Sequence, residues 1–121
     1  MKDKWRLLVG CALLFCAPLL LNRSTTAQEA PRKIEITASK FEFTPKEVTL
    51  KKGQPVVIVL KSTDVAHGLR FRELNLDLKA GKGETSELNF TPEKTGDFVG
   101  HCSVFCGSGH GSMALTLHVE E

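Results

Sequence analysis

The chain has 121 residues, which is enough for one domain of ordinary size and too few for two. Its 16 lysine and arginine residues nearly balance its 14 aspartate and glutamate residues, and no basic cluster is interleaved with aromatic side chains as phosphate binding would require. The composition therefore argues against a nucleic-acid partner.

Residues 1–27 have the pattern of a secretory signal peptide. A basic start, Met1 to Arg6, precedes an apolar run over residues 7–21, and small polar residues follow up to Ala27, where cleavage is expected. Four basic residues and one acidic residue lie in this segment, so residues 28–121 alone carry a net charge of −1 rather than the +2 of the whole chain. The apolar run has 15 residues, whereas a membrane-spanning helix needs about 17 to 25, which leaves a short uncleaved anchor as the alternative. The segment predicts export to the periplasm or to the outer face of the cell membrane, with membrane association through residues 7–21 if it is retained.

The remainder, residues 28–121, is predicted to be one β domain. Apolar residues recur with a period of two, and turn residues separate the apolar runs at intervals of about eight to twelve positions. A short helical turn within residues 72–80 is the one exception that the pattern allows. Strands are predicted at about residues 34–37, 41–43, 48–50, 56–60, 84–90, 96–102 and 114–119. The sequence therefore predicts an all-β fold, either a sandwich or a Greek-key barrel.

All the sulfur of the predicted exported part lies in one short segment. Of the four cysteines and two methionines in the chain, only Cys102, Cys106 and Met113 come after residue 27. Three sulfur atoms within twelve residues, in a domain that has none elsewhere, indicate a use other than filling the core.

Cys106, His110 and Met113 have the spacing of a copper-binding loop. A cysteine, a histidine four residues later and a methionine three further, on a glycine-rich loop between two strands, provide the donors of a type 1 copper site. Such a site needs one more imidazole, and His67, in a turn-like stretch, is the favoured candidate. The two remaining histidines are interpreted as solvated strand residues: His101 and His118.

Cys102 has no role in a mononuclear site of this kind. Two thiolates four residues apart can instead bridge a pair of copper ions, each completed by one imidazole and a weaker donor. An electron shared by both ions spreads the change in bond length over many bonds, so little reorganisation accompanies electron transfer. Cys102 is therefore the residue that separates a two-copper electron relay from an ordinary blue copper loop.

Two stretches of the sequence carry a family resemblance: Asp64-Val65-Ala66-His67 and Cys102-Ser103-x-x-Cys106-Gly107-x-x-His110-x-x-Met113. They resemble the dinuclear copper (CuA) domain of cytochrome c oxidase subunit II and of nitrous oxide reductase. The similarity covers most of residues 28–121, including Phe41-x-Phe43-x-Pro45 and Leu50-x-x-Gly53. It implies a cupredoxin-like Greek-key β-sandwich that transfers electrons.

The resemblance also implies a set of ligands for two copper ions. The two cysteines would be bridging thiolates, the two histidines terminal imidazoles and the methionine a weak axial ligand. The last ligand of the family is a backbone carbonyl, usually that of a glutamate, and here a valine holds that position. The implied ligands are His67, Cys102, Val104, Cys106, His110 and Met113. The implied partner is a redox protein, either cytochrome c or a subunit of an oxidase or reductase.

Other functions remain open from the sequence. The chain could be a periplasmic copper carrier, or a mononuclear blue or red copper protein in which Cys102 is dispensable. The two cysteines alone would also suit a disulfide in an oxidising compartment. A zinc site is disfavoured because methionine is a poor zinc ligand. No Ser-His-Asp order or pair of carboxylates near a histidine indicates an enzyme, so a part in oxidase activity would come through a larger complex.

Several single residues have a structural interpretation beside the functional one. Met113 could fill one end of the core. Asp64 is interpreted as a turn residue rather than as a partner of His67. Arg70 and Arg72 fit a docking surface and a solvated strand face equally well.

Overall fold

A computed structural model describes residues 30–121. The predicted signal peptide, residues 1–27, with its apolar run at residues 7–21, lies outside the described residues. The described part contains two short 3-10 turns, Arg72–Leu74 and His110–Ser112. Its strands are β1 (Arg32–Ser39), β2 (Glu42–Thr44), β3 (Glu47–Lys51), β4 (Val56–Ser62), β5 (His67–Phe71), β6 (Leu76–Ala80), β7 (Thr85–Phe90), β8 (Gly96–His101) and β9 (Ala114–Glu120). Within residues 30–121, no helix has the length and apolar character needed to cross a membrane.

The nine strands form two sheets. The first sheet has the strand order β2-β1-β4-β7, and the second has the order β3-β9-β8-β5-β6. β1 runs parallel to β4 and β3 runs parallel to β9, whereas the other neighbours are antiparallel. The chain passes repeatedly from one sheet to the other, so strands that are neighbours in a sheet are often distant in sequence. The all-β cupredoxin-like fold expected from the sequence is confirmed.

One hydrophobic core lies between the sheets. On β1, the buried residues Ile34, Ile36 and Ala38 alternate with more exposed ones, as the period of two predicts. β4 lies between β1 and β7, and all but one of the residues in its apolar run Val56–Leu60 are buried. Val59 alternates with the core-facing Ile58 and Leu60 and is nevertheless only 7% exposed, so both faces of the strand are covered there, which favours a continuous apolar run. The largest fully buried side chains include Phe43, Phe71, Leu60, Leu69 and Leu117.

The segment 72–80 differs from its prediction. The helical turn expected there is confined to Arg72–Leu74, and the remainder is the strand β6. Asn75, with a φ of 53°, ends the turn in a left-handed conformation that asparagine tolerates. In β6, Leu76 and Leu78 face the core, and the strand pairs with β5 along its whole length. The short alternation of apolar and polar residues thus forms the edge of the second sheet.

Candidate metal centre

The predicted ligands meet at one end of the second sheet, where several of its strands begin or end. β8 is antiparallel to both β5 and β9, so the start of β5, the end of β8 and the start of β9 lie at the same end of the sheet. His67 is the first residue of β5, Cys102 follows the last residue of β8, and Met113 precedes β9. The backbone N–H of Cys102 donates to the carbonyl of Met113 at 3.1 Å, which closes the base of the loop between them. The sheet itself therefore positions three of the six residues.

The loop of residues 103–112 is shaped by its own hydrogen bonds and by a phenylalanine. The N–H of His110 donates to the carbonyl of Gly107 at 3.1 Å, and the N–H of Met113 donates to that of His110 at 3.3 Å. The ring of Phe41 lies against Gly107 and Gly109, where an added Cβ at Gly107 would come within 2.8 Å of it. Gly107 also has a φ of 136°, which favours glycine. The glycines therefore let the loop curl tightly over the Phe41 ring.

Three donors surround the sulfur of Cys102. Its Sγ lies 3.8 Å from the Sγ of Cys106, 3.9 Å from Nδ1 of His67 and 3.1 Å from the carbonyl oxygen of Val104. Donor atoms of His67, Cys102 and Cys106 all lie within 4.8 Å of one another, which is close enough to hold a metal ion. All three of these residues are buried.

The sulfur of Cys106 has a second group of neighbours. Nδ1 of His110 lies 3.7 Å from its Sγ, and Sδ of Met113 lies 3.9 Å from it. Met113 is fully buried, so its thioether also packs at the end of the core, as the structural interpretation expected. The structure thus brings all six predicted residues together in one place.

Asp64 holds the ring of His67. Its carboxylate accepts hydrogen bonds of 2.7 Å from the N–H of Lys40, the N–H of Val65 and Nε2 of His67. The bond from Lys40 lowers the pKa of Asp64 most, the bond from His67 adds to it, and partial burial opposes them, leaving a pKa of about 2. An ionised carboxylate only accepts, so Nε2–H of His67 is the donor to Asp64, and Nδ1 is the ring nitrogen that faces the thiols. The interpretation of Asp64 as a turn residue alone is therefore wrong.

The two cysteines are free and do not form a disulfide with each other. Their separation of 3.8 Å is well beyond the 2.05 Å or so of a disulfide bond. Burial raises the pKa of the Cys106 thiol to about 11, and the adjacent Cys102 contributes to the increase. Binding of a metal must therefore displace the proton of Cys106.

Partial exposure distinguishes His110 from His67. His67 is fully buried, whereas His110 is only half-buried and its ring lies beside that of Phe105, with 5.7 Å between the ring centroids. Phe105 is 79% exposed, although it is a large apolar residue. Sequence reasoning overlooked it, and the signal available was an apolar aromatic residue in a loop otherwise built of small and polar residues.

The other two histidines lie on strands of the second sheet. His101 is exposed at the end of β8. His118 Nδ1 is 2.6 Å from a carboxylate oxygen of Asp97, and this hydrogen bond raises its pKa, with a further contribution from Glu47. His101 lines a cleft beside Cys102 and His110, whereas His118 lies on β9, and both positions agree with their interpretation as strand residues.

The donor set fits copper on chemical grounds. Thiolate, thioether and imidazole are soft or borderline donors, and copper accepts all three, whereas a thioether is a poor ligand for zinc. The donors converge in a buried pocket, and one imidazole already has its proton on the nitrogen that faces away from the thiols. Copper would be held here without rearrangement of the sheet.

Comparison with known proteins identifies the family to which the chain belongs. Residues 10–114 match the family model described as a cupredoxin-like domain. The chain is 28% identical over 88 residues to cytochrome c oxidase subunit 2 of Thermus thermophilus, covering 73% of this chain and 65% of that protein. It is 31% identical over 91 residues to nitrous-oxide reductase of Cupriavidus necator, covering 72% of this chain and 14% of that enzyme.

A solved structure has the same fold. The periplasmic domain of subunit II of cytochrome oxidase from Bradyrhizobium japonicum superposes with a TM-score of 0.69 at 21% identity, covering 77% of this chain and 86% of that domain. In sequence, the chain spans just under two thirds of the length of the Thermus subunit and a small part of the length of the reductase. It belongs to the cupredoxin-like domain family and is homologous to the copper-binding domains of cytochrome c oxidase subunit II and nitrous-oxide reductase.

Proposed function

We propose that this protein is an exported electron carrier with a dinuclear copper centre, similar to the soluble domain of cytochrome c oxidase subunit II. One observation carries the proposal. Two buried thiols lie 3.8 Å apart, and each has its own imidazole nitrogen within 4 Å: His67 beside Cys102 and His110 beside Cys106. A mononuclear site would leave one of these thiols without a function.

Six donors are the number that two bridged ions need. Cys102 and Cys106 would each bind both ions, which leaves one imidazole and one weak donor for each ion. The weak donors are the thioether of Met113 and the carbonyl of Val104, and the carbonyl donates whatever side chain the residue carries. Copper held in this way would supply a one-electron couple in which both ions share the charge.

The residues around the donors limit the access of water to the site and restrict the movement of the ligands. Cys102 and Cys106 are each 6% exposed, and Met113 and His67 are fully buried, so little water reaches the site. Asp64 holds the ring of His67, and the hydrogen bond between Cys102 and Met113 joins two strands directly beneath the thiols. Small movement of the ligands favours rapid electron transfer. His110, the half-buried imidazole of the two, would lie where electrons enter or leave.

Export and an oxidase-type partner belong to the same proposal. They are supported by the signal-like pattern of residues 1–27 and by the homology to oxidase and reductase subunits. Mass spectrometry of the protein recovered from the periplasm would identify its first residue. A chain that remains entirely in the cytoplasm would overturn the export proposal.

Copper stoichiometry and electron paramagnetic resonance test the centre. We expect two copper ions per chain and, after one-electron oxidation, a hyperfine pattern from one electron shared equally by two copper nuclei. Cys102→Ser should abolish this pattern, whereas Ser103→Ala, which changes the adjacent side chain but removes no donor, should retain it. One copper per chain with a single-nucleus pattern, unchanged in Cys102→Ser, would overturn the dinuclear proposal.

A transfer experiment separates electron relay from copper delivery. The loaded protein is mixed with a copper-free acceptor, such as a chromophoric copper(I) chelator, and with a one-electron oxidant in parallel. An electron carrier should exchange electrons within the mixing time and retain its copper. Rapid loss of copper to the acceptor with slow electron exchange would favour a carrier instead.

A further inference from the structure

The exposed apolar side chains of the domain gather around His110. Among residues 30–121, the exposed large hydrophobic side chains are Val99, at 49%, and Phe105, at 79%. Phe105 lies against the His110 ring, and Val99 lines an open cleft of about 590 Å³ whose wall also includes His110. Isolated exposed apolar residues are common, but here one packs on a partly exposed ligand and the other lines the cleft that this ligand borders, and together they offer an apolar contact surface.

Two arginines border this cleft. Arg70 and Arg72 are exposed and line it together with His101 and Ser103. In the second sheet Arg70 lies between His101 of β8 and Asp77 of β6. No ion pair involving either arginine is found within the described part of the chain, so both guanidinium groups remain available to a partner.

Two acidic residues, Asp77 and Glu73, lie near the cleft, and neither forms an ion pair with Arg70 or Arg72 in the described part of the chain. Asp77 accepts a hydrogen bond of 3.1 Å from the hydroxyl of Ser103 instead of pairing with Arg70. Glu73 lines the cleft beside Arg72 without an ion pair of its own among residues 30–121.

Three of the ten other lysine and arginine residues in residues 30–121 are neutralised by ion pairs. Three lysines on other surfaces form ion pairs of 3.5 to 3.7 Å with glutamates: Lys33 with Glu87, Lys46 with Glu42, and Lys52 with Glu121. Two of the three arginines in residues 30–121 line the cleft instead. Arginine binds carboxylates in a bidentate manner and is enriched in protein interfaces.

We propose that Arg70, Arg72, Val99, His101, Phe105 and His110 form a docking face for an acidic redox protein. This inference rests on the proposed electron-carrier function and names the chemistry of its partner. The partner's contact surface has an apolar centre, which covers Phe105 and Val99, and a rim of carboxylates, which pair with the two arginines. Docking there brings the partner's redox group next to His110, the partly exposed imidazole of the proposed site.

The test uses two redox proteins of opposite charge as probes, an acidic plant-type ferredoxin and a basic c-type cytochrome. Each is titrated into the isotopically labelled, copper-free protein at low ionic strength, and binding is followed by nuclear magnetic resonance. The ferredoxin should shift or broaden the signals of Val99, His101 and Phe105, and added salt should weaken its binding. The cytochrome should bind this face less tightly than the ferredoxin does.

Charge reversal gives the decisive comparison. The double variant Arg70→Glu/Arg72→Glu should weaken ferredoxin binding about tenfold or more at low salt and should strengthen cytochrome binding. Phe105→Ala should weaken both probes without changing the salt dependence. The matched control is Lys51→Glu/Lys94→Glu, which reverses two exposed charges at the far end of the sandwich, where β3 ends and β8 begins. It should leave ferredoxin binding at this face nearly unchanged.

Three outcomes would overturn the proposal: equal losses in the control and test variants, tighter binding of the cytochrome to the wild-type face, or binding of anionic phospholipid vesicles with no binding of ferredoxin. Copper content and hyperfine pattern are measured separately on the same variants. A dinuclear centre without ferredoxin docking refutes only this inference, whereas docking without a dinuclear centre refutes only the proposed function.

Discussion

The donors carried by strands and those carried by the loop differ in how they are held. His67, Cys102 and Met113 lie at the ends of β5, β8 and β9, where the hydrogen bonds of the sheet define their positions. Cys106 and His110 lie on a loop whose shape depends on glycines and on the Phe41 ring. The strand-borne donors are buried, whereas the loop carries the half-exposed His110. The sheet thus provides rigidity and the loop provides contact with the surroundings.

The largest expected effect concerns Cys106, the one loop-borne donor that is as buried as the strand-borne ones. Its pKa of about 11 means that the thiol remains protonated at pH 7 to 9 and that copper must displace this proton. Affinity for copper(I) should therefore rise with pH by about tenfold per unit from this thiol alone, or about 100-fold over the two units. Competition with a chromophoric chelator at pH 7, 8 and 9 measures this slope.

The control for this measurement is Cys106→Ser, which removes the displaced proton. The slope should fall by about one proton per chain in the variant. An unchanged slope would mean that the loop thiol is already ionised, and hence that the loop leaves it open to solvent.

The next effect concerns the strand-borne side and the carboxylate that holds His67. Asp64→Asn leaves the ring without its anionic acceptor, and loss of such a partner typically costs about 10- to 100-fold in metal affinity. Asp97→Asn is a matched control, because Asp97 makes a similar hydrogen bond of 2.6 Å to His118, away from the thiols. Copper(I) competition at pH 7.5 compares the two variants. Equal affinities in both would show that the orientation of His67 does not depend on Asp64.

The smallest effect concerns the support beneath the loop. Phe41 is half-buried under Gly107 and Gly109, so Phe41→Ala should lower the free energy of unfolding of the copper-free protein by about 1–2 kcal/mol. Phe105→Ala removes the same ring from an exposed position and should cost less than about 0.5 kcal/mol. Urea unfolding measures both variants, and similar losses in the two would mean that the loop does not depend on Phe41.

The fold was largely predictable because a period of two in apolar residues is a direct consequence of one buried sheet face. It is clear in β1 and β9, where the buried and more exposed residues alternate along the strand. It was misjudged in β6, where a short strand follows a 3-10 turn and ends in a small alanine, so that the apolar signal is weak. Edge strands of this kind depend on a neighbour, here β5, for their conformation.

Spacing along the chain predicted the residues of the site but not their supports. Cys102, Cys106, His110 and Met113 are close in sequence, so their pattern is visible there. The contacts of Asp64 with Lys40, and of Phe41 with the loop glycines, join residues that are 24 or more positions apart. These contacts exist only after the two sheets have packed together, and no local pattern encodes them.

The parallel pairing of β3 with β9 has a consequence for the order of folding. β9 lies between β3 and β8, so β3 can join the second sheet only after residues 116–120 of β9 are available to pair with residues 47–51. Pairing over such a distance in sequence is slow, because a long loop must close before any contact compensates for its entropy. Insertion of β9 is also the step that carries Met113 to the thiols. A finished ligand pocket therefore reports that β5, β8 and β9 have come together, and a chain that is still folding offers copper only an incomplete set of donors.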